Sequence, residues 1–215
     1  MDSDASVTFG GSVDELALYA RVMSPEEIHY QYQRQAPDQI AIFDSEVFTE
    51  TLGLGLWGAL QWLPGRINGE PLPDNQGADA YPLAVAGAVT MTDNLMLLHL
   101  DEPDGSTSFL DASGSANDAR CDGNSCPQAI SGRFNGALHF DGVDDTVDLP
   151  DYFPDTEDFT FAAWIYWNGG DLGQHIFDLG RDQGNRFYLS PEGTNGKLRF
   201  AARRGGVEEV VEGPS

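Results

Sequence analysis

The chain has 215 residues, 40% of them hydrophobic and 11% aromatic, enough for one or two domains with a real core. Thirty-five acidic residues against 11 basic ones leave a net charge of −24, a surface that repels phosphates and excludes nucleic acid as a partner. No stretch approaches the roughly 18 apolar residues needed to span a membrane. The opening MDSDASVTFGG lacks the basic region and apolar run of a signal peptide.

Gly 25 and Pro 12, combined with the aromatics, suit many short strands joined by loops. Asp supplies 23 of the acidic residues. Two compatible readings follow: solubility, and calcium, a hard cation that takes carboxylate and carbonyl oxygens.

In chain order, VDELALY (13–19) is a strand with Asp14, Leu16 and Leu18 on one face and Glu15, Ala17 and Tyr19 on the other. A carboxylate at Asp14 then points core-side, at a cost of several kcal/mol unless a cation or hydrogen-bond donor meets it. Ser24-Pro25-Glu26-Glu27 starts a short helix: Ser24 caps, Pro25 takes the first position and Glu27 completes a capping box. Ile28 and Tyr32, one turn apart, give it a small apolar stripe. Residues 36–93 are different material. IAIFDSEVF and LWGALQWL are plausible strands, and 64–87, rich in Pro, Gly, Asn and Asp, reads as linker or loop.

From Asn94 the strand signals become regular: LMLLHL, a long polar loop, ALHF, the Asp141-Gly142 turn, TVDLP, FTFAAWIYW, QHIFDLG, FYLSP and KLRFAAR. Spacing of roughly ten residues between turns predicts an antiparallel sandwich. FTFAAWIYW is apolar on both faces, which places it in mid-sheet, covered on both sides. The chain stops at EEVVEGPS, so this sandwich is expected to be incomplete at its C-terminus.

Cys121 and Cys126 flank Gly123-Asn124. Zinc would need partners that the scattered histidines do not offer, and a redox pair is more often C-x-x-C beside a helix. A local disulfide is the reading that remains, worth about 2 kcal/mol for so short a loop, and it implies an oxidising compartment.

LLHLDE, DASGSAN, the cysteine pair, GRFNGALHFDGVDDTVDLP and DFTFAAWIYW, in this order over about residues 94–200, resemble the opening of a bacterial laminin-G-like domain of the concanavalin A-like lectin/glucanase superfamily. GSVDELALYARVMSPEEIHYQY resembles the closing strand and helix of the same domain type, and residues 40–93 resemble the connector between tandem copies. The resemblance implies an all-β, antiparallel jelly-roll β-sandwich with one short N-terminal helix, divided as 1–35 (tail of one copy), 36–93 (connector) and 94–215 (front of the next). The sequence departs from the family at Asn117-Asp118-Ala119, where Asn-x-Gly is usual. Strand 12–19 has a second option, docking on the vacant edge of the following sandwich.

Glycoside hydrolysis needs two carboxylates about 5–10 Å apart, and the Glu-x-Asp-x-x-Glu that would place them is absent; no Ser/His/Asp or Cys/His set has a convincing context either. Asp178 and Asp182 of FDLGRD flank a turn and read as solvated. No catalytic residue is assigned. For metal, the resemblance implies a structural calcium near Asp14, with Asp101, Asp141, Asp144 and Asp145 as further candidate ligands at strand ends and loops; capping of turns by solvated acids is the other reading. Trp164, Tyr166 and Trp167 read first as core and second as a sugar platform, while loop residues Asn168, Asp171, Gln174 and His175 are better placed to touch a ligand. The expected function is a non-catalytic, secreted or cell-surface binding module for a glycan or surface partner, flanked by further domains of a longer chain that carries its export signal upstream. A structural spacer and an accessory domain of a polysaccharide-degrading enzyme are the alternatives.

Overall fold

The computed structural model describes residues 7–36, 69–74, 89–150, 158–191 and 197–213. Its strands are β1 (Val7–Thr8), β2 (Gly10–Tyr19), β3 (Asn94–Leu98), β4 (Ser108–Phe109), β5 (Ala119–Arg120), β6 (Gln128–Phe134), β7 (Gly136–Asp141), β8 (Thr160–Trp167), β9 (Gln174–His175), β10 (Phe177–Asp182), β11 (Asn185–Ser190), β12 (Arg199–Arg204) and β13 (Val207–Glu212). One helix, α1, spans Pro25–Gln35. The fold is all-β and sandwich-like, with its larger sheets antiparallel. Most of the expected connector, 37–68 and 75–88, lies outside the described residues.

The organising strand is β2. Along one edge it pairs with β8; along the other its first half pairs with β7 and its second half with β3. Strand 12–19 therefore docks on the strands that follow residue 94. Only glycine fits at 11, because a Cβ there would lie 2.4 Å from the Tyr166 carbonyl oxygen.

Midway, β2 carries a bulge: the register with β8 shifts between Asp14 and Ala17, and Glu15 has φ +53°. The extra residue reverses the alternation of faces. Phe9 and Val13 before it, and Leu18 after it, all enter one core with Met96, Leu98, Phe109 and Leu138. Ala17 and Tyr19 turn outward under Met23, Leu72, Val89 and Met91. Asp14 consequently does not share the face of Leu16 and Leu18, as strict alternation would have it.

The second large sheet is the meander β10-β11-β12-β13. Its last hairpin turns at Gly205-Gly206, both at positive φ, the conformation that a two-residue hairpin favours. The sheets meet through phenylalanines, with the Phe161 and Phe177 rings 4.1 Å apart and Phe159 edge-on to Phe187 at 5.3 Å. Strand β8 differs from expectation. It pairs with β2 alone among the described strands, and only Phe161, Ala163, Ile165 and Trp167 face the core. Its other face, with Ala162, Trp164 and Tyr166, looks outward.

Helix α1 starts as its sequence dictates. Glu27 N–H donates to Ser24 Oγ at 3.2 Å and Ser24 N–H to Glu27 Oε2 at 2.8 Å. The expected apolar stripe is not its buried side: Ile28 and Tyr32 are 52% and 57% exposed, whereas Gln31 and Gln35 are buried. The reason lies in what the helix docks against. Arg133 donates from Nε to the Gln35 carbonyl at 3.0 Å, lies 3.8 Å over the Trp164 ring, and Tyr32 stacks on that same ring at 6.1 Å. Cys121 and Cys126 form a disulfide. In the loop before it, Asp111 accepts from the backbone N–H groups of Leu97, Ser113 and Asn117, which fixes the turn where the sequence departs from Asn-x-Gly.

Candidate functional site

The bulge in β2 buries two consecutive carboxylates and aims them at different segments. Asp14 Oδ2 accepts from the N–H groups of Arg133 (2.7 Å) and Phe134 (3.0 Å) at the end of β6. Asp101 holds the other side of the same hairpin, accepting from Gly136 N–H at 2.7 Å and the Asn135 side-chain amide at 3.1 Å. Asp14 Oδ1 is buried with no hydrogen-bond partner. Burial drives the Asp14 carboxyl up to about 7; the two amides pull it down, and the neighbouring charges of Glu15 and Asp101 add to the rise.

Glu15, with no exposed side-chain surface, points elsewhere. Its Oε1 lies 2.5 Å from His99 Nδ1, and its Oε2 accepts from Leu72 N–H at 3.1 Å. His99 Nε2 reaches Asp74 Oδ1 at 2.9 Å. Burial works to depress the His99 imidazole, but the hydrogen bond and charge of Glu15, joined by those of Asp74, outweigh it and hold the pKa at about 9. A charged His99 donates from both ring nitrogens, so the line Glu15–His99–Asp74 pins residues 69–74 to the bulge of β2 and the end of β3.

A second acidic group stands at the end of β7. Asp141, Asp144 and Asp145 each offer a carboxylate oxygen within 4.8 Å of the others. The loop that carries them is ordered by its own donors: Asp141 N–H to Asp145 Oδ2 at 2.8 Å, Val143 N–H to Asp141 Oδ1 at 2.7 Å. Gly142 takes φ +79° to close it. All three donors are hard carboxylate oxygens, the type that calcium accepts. The five acids named from sequence therefore fall in two places, Asp14 and Asp101 against the β6–β7 hairpin and the other three at the end of β7 and in the loop after it.

The four loop residues named as ligand contacts also separate. Asn168 and Asp171 are exposed. Gln174 is buried and fully engaged: its Oε1 accepts from Gly10 N–H at 3.1 Å and Trp167 Nε1 at 3.0 Å, and its Nε2 donates to the Gly169 carbonyl. His175 lies on the outer face of the meander, stacked on Tyr188 at 4.3 Å and 3.0 Å from Asp178 Oδ2.

A further set comes from register alone. Gln128 of β6 pairs with His139 of β7, His139 with Ser12 of β2, and Ser12 with Tyr166 of β8. Directly opposed residues share a face, so these four side chains form one row across the outside of the sheet. Ser12 Oγ and His139 Nδ1 lie 3.4 Å apart. Tyr166 is 72% exposed, more than any other aromatic side chain among the described residues. Of the three ring residues weighed as a sugar platform, Trp167 is in the core, Trp164 lies beneath Tyr32 and Arg133, and Tyr166 is open.

Sequence reasoning missed Glu15, His99, Ser12, His139 and Gln128. The Asp14-Glu15 pair inside an apolar strand carried a signal, since alternation forces one of two adjacent acids inward. The row carried none, because it exists only once long-range register is known. Compared with known proteins, the chain matches no family model, no curated protein and no solved structure.

Proposed function

We propose that this chain is an extracellular, non-catalytic binding module that takes a saccharide on the open face of its β2-centred sheet. The observation that carries this reading is Tyr166, an exposed ring at the end of a row of hydrogen-bonding side chains that contains no acid, lysine or arginine. An open aromatic face packs against the C–H face of a pyranose, and Gln128, His139 and Ser12 supply donors and acceptors for its hydroxyls. The order of motifs that resembles a laminin-G-like domain supports a jelly-roll topology for the sandwich, and the Cys121–Cys126 disulfide supports export. Tyr166→Ala is expected to weaken glycan binding by about tenfold or more and to leave the melting temperature unchanged, because the side chain is mostly in water. A glycan array on wild type and variant, with thermal scans of both, checks this. Unfolding of the variant would make Tyr166 structural, and undiminished binding would remove it from the site.

Calcium is proposed at the Asp141–Asp144–Asp145 cluster, as a structural ion that orders the loop after β7. An ion bound only by the folded state stabilises it by about 2.7 kcal/mol when present at 100-fold its Kd. Thermal scans in calcium and in chelator are expected to differ accordingly, and Asp144→Ala, an exposed position, is expected to abolish the difference. Identical melts in both buffers would dismiss the ion.

A further inference from the structure

Resting on the saccharide reading, we infer that the site recognises internal segments of an extended, uncharged polysaccharide, with the sugar chain running across the strands. Three features of the row lead there. The first is its ends. In the pairing order β3-β2-β7-β6 the last strand is β6, and β8 pairs with β2 alone among the described strands. The row thus runs from one outer strand to the other, and both terminal side chains, Gln128 and Tyr166, are exposed. A site that reads a chain terminus needs a wall against which the last residue stops, and among the described residues neither end of this row supplies one.

The second feature is length. Four neighbouring strands spaced about 4.8 Å apart give a row of about 14 Å, which accommodates roughly three pyranose units of an extended chain. The middle of the row is low: Ser12 and His139 are half-buried between the exposed ends, and the flanking positions on the same face are Gly10 and the buried Asp14 on β2, and Ala137 and Asp141 on β7. Gly10, Ala137 and the buried Asp14 leave a shallow, straight track that suits a ribbon-like chain better than a coiled one.

The third feature is charge. No side chain of the row is an acid, a lysine or an arginine, in a chain whose net charge is −24. A polyanionic glycan would meet long-range repulsion, with no lysine or arginine in the row to offset it. An uncharged, hydroxyl-rich chain meets neither cost, and its ring face and hydroxyls match the one aromatic and the three polar side chains.

The test uses calorimetric titration of the 215-residue chain with cello-, manno- and chito-oligosaccharides, each from one unit to six. For a series that binds, affinity is expected to climb at least tenfold between one and three units and then level off. Reduction of the terminal sugar of the hexasaccharide to its alditol is expected to change nothing. Gln128→Ala, at the far end from Tyr166, is expected to weaken the trisaccharide and hexasaccharide but not the disaccharide. A monosaccharide that binds as tightly as the hexasaccharide, or a hexasaccharide that loses binding when its end is reduced, would overturn the internal-segment inference; if that binding still depends on Tyr166, the saccharide site itself stands. Binding unaffected by Tyr166→Ala, or none by any series, would overturn both.

Discussion

Glu15→Ala is expected to be the most damaging single substitution in the sheet, with a loss of about 3 kcal/mol or more. The carboxylate has no exposed surface and bonds both His99 and the Leu72 amide, so its removal strands a buried N–H and the imidazole together. Glu15→Gln separates the two contributions. It keeps the volume and an acceptor for Leu72, and it removes the charge that holds His99 protonated, for an expected cost of about 1–2 kcal/mol. The pH dependence gives a sharper readout. The folded-state pKa of His99 stands at about 9 against an ordinary 6.5, so the folded protein binds a proton that the unfolded chain gives up between those values. The resulting stabilisation is full below 6.5 and is lost as pH rises through about 9. Urea melts across that window should show wild type weakening with pH and Glu15→Gln changing far less. Equal slopes in the two proteins would show that the pair does not govern the alkaline limb.

How much of this was legible in the sequence depends on how local each feature is. The start of α1 was readable because a capping box is made by residues three apart, and the disulfide because its loop is short. Strand content was readable from turn spacing. The bulge at Asp14–Glu15 was not, although it decides which side chains enter the core. Alternation is the default for a strand, and an inserted residue shows itself only when both faces are assigned. Strand β8 misled for a related reason. Trp164 and Tyr166 have the composition of core residues, and what covers Trp164 is an arginine from β6 and a tyrosine from α1, more than a hundred residues away in the latter case. Tyr166 has no such cover. Strand β13 was passed over, although Gly205-Gly206 before VEEVVE has the form of a hairpin turn.

The same bulge yields the second large effect, with the same sign of pH dependence in a lower window. Asp14→Ala leaves the Arg133 and Phe134 amides without an acceptor and is expected to cost about 3 kcal/mol, from two buried donors at about 1–3 kcal/mol each. Asp14→Asn keeps an oxygen for them and carries no charge. Burial lifts the folded-state pKa of Asp14 to about 7 from 3.8. Between those values the folded protein retains a proton that the unfolded chain has released, so this group's contribution is full below 3.8 and falls as pH rises through about 7. Measured in chelator, Asp14→Asn is therefore expected to track wild type in acid and to exceed it in stability above pH 7, where wild type must bury a charge whose Oδ1 has no donor. A variant that loses as much as Asp14→Ala, or that keeps the wild-type slope between 3.8 and 7, would contradict the burial argument. Calcium adds a second arm. If the ion sits at Asp141, Asp144 and Asp145, Asp14→Asn retains the full calcium-dependent rise in melting temperature, because none of those ligands is touched. Loss of that rise would move the ion to the hairpin that Asp14 and Asp101 hold between them.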